Sequence, residues 1–132
     1  MRVVGCFLYY EDRFVLVHRL PHKADGNTWG LPSGKVEEGE SDTTAVQREL
    51  YEETGYRVSK DKLELLGEDD FISPRGDKVT YITYRVQLQL PHDVLLEISA
   101  HSEYRWVTIE EADAMDDLIH GLHDLFRIVN LL

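Results

Sequence analysis

Two apolar runs open the chain. In "RVVGCFLYY" (residues 2–10) and "RFVLVHR" (13–19) β-branched and aromatic residues dominate, with a charged break between them. The pattern predicts two strands of a hairpin joined by a short turn. Glycine and proline then crowd residues 20–40, "LPHKADGNTWGLPSGKVEEGE", which predicts a long loop with a short strand near Trp29 and Leu31. Loops this long inside a compact domain are commonly functional. From Ser41 to Thr54 the period becomes helical. Ser41 suits the N-cap, Asp42 the positive end, and Gly55 the left-handed position after the last turn. Val46 and Leu50, four apart, supply the core-facing stripe.

Beyond the helix, "LELLGEDDFI" (63–72) and the alternating "KVTYITYRVQLQL" (78–90) predict two strands. "PHDVLLEISAHSE" (91–103) is expected as a loop and "YRWVTI" (104–109) as a final short strand. Thr108 and Glu111 fit a capping box that opens a short helix. The tail "LIHGLHDLFRIVNLL" (118–132) predicts an amphipathic helix running through Gly121. No repeat or low-complexity segment interrupts the 132 residues, and one domain, 1–132, is expected.

One stretch resists the bland reading of a solvated face. "RELYEETG" (48–55) places Glu49 and Glu53 one turn apart, with Glu52 three residues from Glu49. Like charges at this spacing cost a helix a few tenths of a kcal/mol per pair. The three carboxylates can aim at one volume the size of a hydrated divalent cation, and hard cations such as Mg²⁺ favour such oxygen ligands. Arg48 can reach Glu52 across one turn and hold it.

The wider spacing strengthens that view. Gly34 lies six residues before Glu40, Glu40 eight before Arg48, and the run ends Glu49, Leu50, Glu52, Glu53, Gly55, Tyr56. This resembles the Nudix box, G-x5-E-x7-R-E-U-x-E-E-x-G-U with U a bulky apolar residue. All seven fixed residues are present, and a chance match is on the order of one in a hundred thousand or rarer. "WGLPSGKVEEGES" is similar to the family's approach to the box, with Ser33 where glycine is commoner. "SEYRWVTIEEA" resembles the segment near the end of many such domains. The resemblance implies an α+β Nudix fold, a mixed β-sheet sandwiched between α-helices (α/β/α). It also implies divalent-metal-dependent hydrolysis of a nucleoside diphosphate linked to another moiety. On that basis Glu52 and Glu53 are metal ligands for Mg²⁺ or Mn²⁺, and Glu49 is a further ligand or the base. Gly34 lets backbone approach the helix, and Lys35 meets a phosphate.

Other residues carry weaker signals. Glu103, before the last strand, stands where some relatives hold an additional carboxylate; Glu97 is its rival in the same loop, and a surface acid is the bland alternative. Arg19 and Lys23 flank the proline-containing loop and suit phosphate or solvent equally. Trp29 and Trp106 read as core aromatics rather than base platforms. His120 and His123 lack a third ligand and read as helix surface.

Composition narrows the partners. Fourteen Lys and Arg against 25 Asp and Glu give a net charge of −11, which disfavours nucleic acid backbones and anionic membranes. A small nucleotide is still admissible if metal ions or local basic groups reverse the field. The apolar start is too short for a signal peptide, no run approaches the ~20 residues of a membrane span, and Cys6 is the single cysteine. A cytoplasmic protein, monomer or homodimer, is expected. The resemblance favours a nucleoside triphosphate or modified nucleotide as substrate. ADP-ribose, nucleotide-sugar or dinucleoside polyphosphate hydrolysis is second, with Pro74 eighteen residues beyond Tyr56 as its weak cue. A nucleotide-sensing module without catalysis stands as the alternative of another class.

Overall fold

The computed structural model describes residues 1–132. Strand β1 (Arg2–Tyr10) turns at Glu11, which adopts φ 54°, into β2 (Arg13–Arg19). Then come β3 (Trp29–Gly30), β4 (Ser33–Lys35), α1 (Asp42–Thr54), β5 (Glu64–Ile72), β6 (Lys78–Leu88), β7 (His101–Val107), α2 (Ile109–Asp113) and α3 (Leu122–Ile128). The strands form one sheet in the order β3-β2-β1-β6-β5, with β4 added to β1 and β7 to β2. β1 and β6 are parallel and the other pairs antiparallel, so the sheet is mixed.

β1 and β2 stay paired only next to their turn, at Tyr9–Phe14 and Tyr10–Arg13. Further along, β1 takes β4 (Val3 opposite Lys35, Gly5 opposite Ser33) and β2 takes β7. That divergence inserts β4 beside the helix that carries the carboxylates.

The alternation along β1 builds both layers. Val4, Cys6 and Leu8 pack with Ala45, Val46 and Leu50 of α1. Phe7 and Tyr9 face the other way, with Phe14, Leu122, Leu125 and Phe126. Phe14 meets Phe7 edge-on at 5.0 Å and Phe126 at 6.0 Å. Each such fully buried side chain contributes roughly 1.5–3 kcal/mol. The result is the α/β/α arrangement expected from the sequence.

Three local expectations need correction. β7 begins at His101, three residues earlier than the strand expected at 104–109, so Glu103 lies within a strand opposite His18 and not in a loop. The last helix does not run through Gly121, whose φ of 88° is incompatible with a helix interior; Gly121 caps α3 instead. The residues before it join the sheet edge: Trp29 accepts from the Ile119 N–H at 2.8 Å and donates to Asp117 O at 2.9 Å. β4 lies in the segment expected as loop, beyond the short strand near Trp29. No helix is long and apolar enough to cross a membrane.

Candidate active site

Helix α1 is fixed at both ends as its sequence dictates. Ser41 Oγ accepts the Thr44 N–H at 3.2 Å, and Gly55, at φ 77°, donates its N–H to Tyr51 O. The apolar stripe turns inward, which swings Arg48, Glu49 and Glu53 towards β4 and the loop that follows it.

Arg48 is the hub of one side. Its guanidinium grips Glu40 with two bonds of 2.8 and 3.0 Å, donates to Glu49 Oε1 at 2.7 Å, and reaches Lys35 O at 3.0 Å. Glu52, the partner expected from i, i+4 spacing, is a longer contact at 3.4 Å and stays half-exposed. Bound by Arg48 and by the Glu37 N–H, the Glu40 carboxyl is held down to about 2.

Glu53 is in the opposite condition. It is 4% exposed, its Oε2 accepts the Ser33 N–H at 2.8 Å, and its carboxyl lies beside that of Glu49. Burial first, and then the Glu49 charge, push its pKa well above the ordinary carboxylate range; Glu97 adds to the effect. Burial also raises Glu49, against the pull of Arg48. A Cβ on Gly34 would overlap the Glu49 carboxylate, so the glycine leaves the space that this side chain fills.

This donor set fits a hard divalent cation. The buried Glu53 carboxyl has no arginine or lysine partner and lies against that of the half-buried Glu49, whose charge Arg48 offsets only in part, and all donors are oxygens. Glu49, Glu52 and Glu53 do not close into a preformed three-ligand cage. An ion of the Mg²⁺ type needs none, because it keeps waters and takes substrate phosphate oxygens.

Next to β4 opens a cleft of roughly 870 Å³, whose wall includes Ser33, Gly34 and Lys35. Leu31, Phe71, Tyr81, Ile119 and Leu125 give it an apolar lining. Arg19, Lys35, Arg75 and Lys78 line it against only Asp25 and Asp77, so the field is locally reversed in a chain of net charge −11. Arg19 is steadied by its Nε bond to Ala24 O at 2.7 Å.

The structure therefore gathers Arg48, Glu49, Glu53 and Gly34 tightly, sets Lys35 and Arg19 along the adjoining cleft, and leaves Glu52 at the rim. Glu103 is exposed on β7, and no hydrogen bond or ion pair ties it to the carboxylate pair. Glu97 is the acid from that segment whose charge bears on Glu53. Trp29 is core, crossed by Arg105 at 4.7 Å, and His123 pairs with Asp113 on the surface. Sequence reasoning missed His101. It is buried, with Nε2 3.3 Å from Glu53 Oε1, and burial together with the charges of Arg19, Lys23 and His18 lowers its pKa to about 4. No motif flags it; only the earlier start of β7, which sets it opposite Arg19, would have drawn attention to it.

The NUDIX domain family model matches residues 1–126. The RNA pyrophosphohydrolase of Caulobacter vibrioides is 30% identical over 128 residues, covering 82% of this chain and 72% of that protein. A MutT-like protein of Streptomyces ambofaciens is 41% identical over 61 residues, 46% of this chain, and the match spans only 37% of that relative's length. The crystal structure of the MutT protein from Methanosarcina mazei Go1 superimposes with a TM-score of 0.82 at 26% identity, covering 99% of this chain and 93% of that one.

Proposed function

Because this chain belongs to the Nudix family of hydrolases, which act on pyrophosphate bonds, we propose that it cleaves a nucleoside triphosphate, plain or modified, into the nucleoside monophosphate and pyrophosphate. The observation that carries this reading is that β4, whose Ser33 N–H holds the buried Glu53 and whose Gly34 packs on Glu49, also walls a cleft lined by Arg19, Lys35, Arg75 and Lys78.

Glu52 and Glu53, with Glu49 as a further ligand or the base, would hold divalent ions, Mg²⁺ or Mn²⁺, which when bound would supply charge neutralisation at the pyrophosphate and acidify a water. The chain does the rest. Arg48 fixes Glu49 and Glu40, and the Ser33 N–H fixes Glu53. Lys35 and Arg19 pair with phosphate oxygens along the cleft wall. The apolar lining accepts the nucleoside. Glu49, whose burial raises its proton affinity, is the favoured acceptor for the water's proton, with Glu97 as rival. Glu103 has no such support.

Hydrolysis of a nucleotide panel in ¹⁸O-labelled water with Mg²⁺, read by mass spectrometry, tests this. Label in the monophosphate or in pyrophosphate supports it, and label only in free orthophosphate overturns it. A silent panel with measurable nucleotide binding would favour the sensing module instead. The RNA pyrophosphohydrolase relative raises RNA as substrate, but the net charge of −11 opposes a long phosphate backbone, so a free nucleotide is preferred. A second reading, ADP-ribose or dinucleoside polyphosphate hydrolysis, draws on Pro74 and Arg75 in the cleft wall, and the same panel includes those compounds.

A further inference from the structure

We propose that His101 is a positioning residue for Glu53: its imidazole holds Oε1 while the Ser33 amide holds Oε2, so that β7 and β4 together set the plane of the carboxylate that binds the divalent ion. The inference rests on the reading above that Glu53 is a metal ligand.

Glu53 leaves α1 between two strands. From β4 comes the Ser33 N–H at 2.8 Å to Oε2. From β7 comes His101, 4% exposed, with Nε2 3.3 Å from Oε1. A carboxylate with an amide bonded to one oxygen and an imidazole nitrogen 3.3 Å from the other is restrained about its last bond, and an oriented ligand binds its ion more tightly than a free one. His101 also anchors its own segment. Its N–H donates to Glu97 O at 2.9 Å, and Leu95 N–H donates to Thr54 O at 2.9 Å. The segment that carries Glu97 is thus tied to the end of α1.

The second ring nitrogen argues against a purely structural role. Nδ1 is buried and has no hydrogen-bond partner. A buried polar atom left unmade costs stability, and an aliphatic side chain at this position would avoid that cost. With a neutral ring, the Nε2–H faces the carboxylate and the Nδ1 lone pair is the atom left over. The retained benefit is therefore at Glu53, not in the core.

Mn²⁺ binding to the whole chain, followed by the paramagnetic resonance of free Mn²⁺, tests this alongside metal-free melting and steady-state kinetics. His101→Leu should weaken Mn²⁺ binding by roughly 10–100-fold, lower kcat more than it changes KM, and melt no earlier than wild type without metal. His101→Gln, whose amide nitrogen can stand in for Nε2, should recover most of the affinity. Unchanged Mn²⁺ affinity in His101→Leu overturns the proposal, as does equal loss in the Leu and Gln variants, since bulk rather than the N–H would then matter. If His101→Leu does not fold, Gln against the shorter Asn decides: Gln should bind and Asn should not, and equal affinities overturn the proposal. Wild type that binds no Mn²⁺ overturns the metal-ligand reading and this inference with it.

Discussion

Glu40 and Glu53 are the same side chain in two opposite electrical conditions, one paired with Arg48 and the other with no arginine or lysine. At Glu40 a guanidinium supplies two short bonds and the proton is released down to about pH 2. At Glu53 there is no arginine or lysine, only another carboxylate, a backbone amide and a neutral imidazole, and burial pushes the pKa well above the ordinary carboxylate range. Glu49 stands between, touching both Arg48 and Glu53. On the proposed reading, the contrast separates the glutamates that build the box from those available to a cation from outside. A carboxylate satisfied by arginine builds the scaffold, whereas one left unsatisfied in a buried place is poised for an ion.

The largest break in that contrast comes from Glu53→Gln. The amide keeps the shape and can still accept the Ser33 N–H, but it cannot hold a divalent ion. Activity should fall roughly a thousandfold, well beyond the ~10–100-fold that changes around a metal ligand bring. At pH 8 the metal-free melting temperature should rise, because the amide removes the cost of ionising a buried carboxyl that has no counter-ion. Near wild-type turnover at saturating Mg²⁺ would contradict the division between the two sites.

Arg48→Ala attacks the other side. Glu40 and Glu49 would be left without their cation, and the Lys35 carbonyl without its donor. Breaking a buried pair costs about 3–5 kcal/mol; with 24% of the Arg48 side chain exposed, a loss of about 2–3 kcal/mol is expected. Urea denaturation without metal would read it as a lower midpoint. A midpoint unchanged from wild type would mean that the Arg48 cluster is decoration.

The third change is smaller and purely steric. Gly34→Ala puts a methyl group where the Glu49 carboxylate now lies. The end of a glutamate can move aside, so stability should change by less than about 1.5 kcal/mol. Activity should nevertheless drop about tenfold, since a displaced group near the reacting centre loses that much or more. Wild-type kcat/KM in this variant would show that the close approach of β4 to α1 is unimportant.

What the chain revealed in advance follows the range of the interactions involved. Helix α1 was legible because its determinants are local: the Ser41 cap, the Val46–Leu50 stripe and the positive φ of Gly55 all lie within fifteen residues. The box spacing brought Glu40 and Arg48 into view, but not that Arg48 prefers Glu40 to Glu52, which depends on where the loop after β4 lies. β4 was hidden because three residues carry no period, and its pairing exists only through β1. His101 was hidden in "ISAHS", which has neither alternation nor a helical stripe; its place opposite Arg19 is fixed by β2. At Gly121 the apolar spacing argued for a longer helix, and backbone geometry overruled it.

The smallest effect is also the one that weighs the two regions in a single titration. Glu53 and Glu49 have raised pKa values in the folded chain, so between the ordinary carboxylate value and the raised one the native state binds more protons than the unfolded state. Stability from that source falls as pH rises. Glu40 has a lowered pKa, so its contribution is complete above the ordinary value and is lost as pH falls towards about 2. His101, lowered to about 4, binds fewer protons when folded, and its contribution grows as pH rises from there to the ordinary histidine value. His101 thus masks part of the Glu53 trend in mildly acid solution, and raw melting curves would blur the two. The difference between Glu53→Gln and wild type isolates the trend. Without metal the two proteins should melt together near pH 5, and the variant should gain a lead of a few degrees by pH 8. Mg²⁺ should close that gap at pH 8 by stabilising wild type alone. A lead that stays constant from pH 5 to 8 would mean that Glu53 is not the proton-holding carboxylate its buried setting makes it.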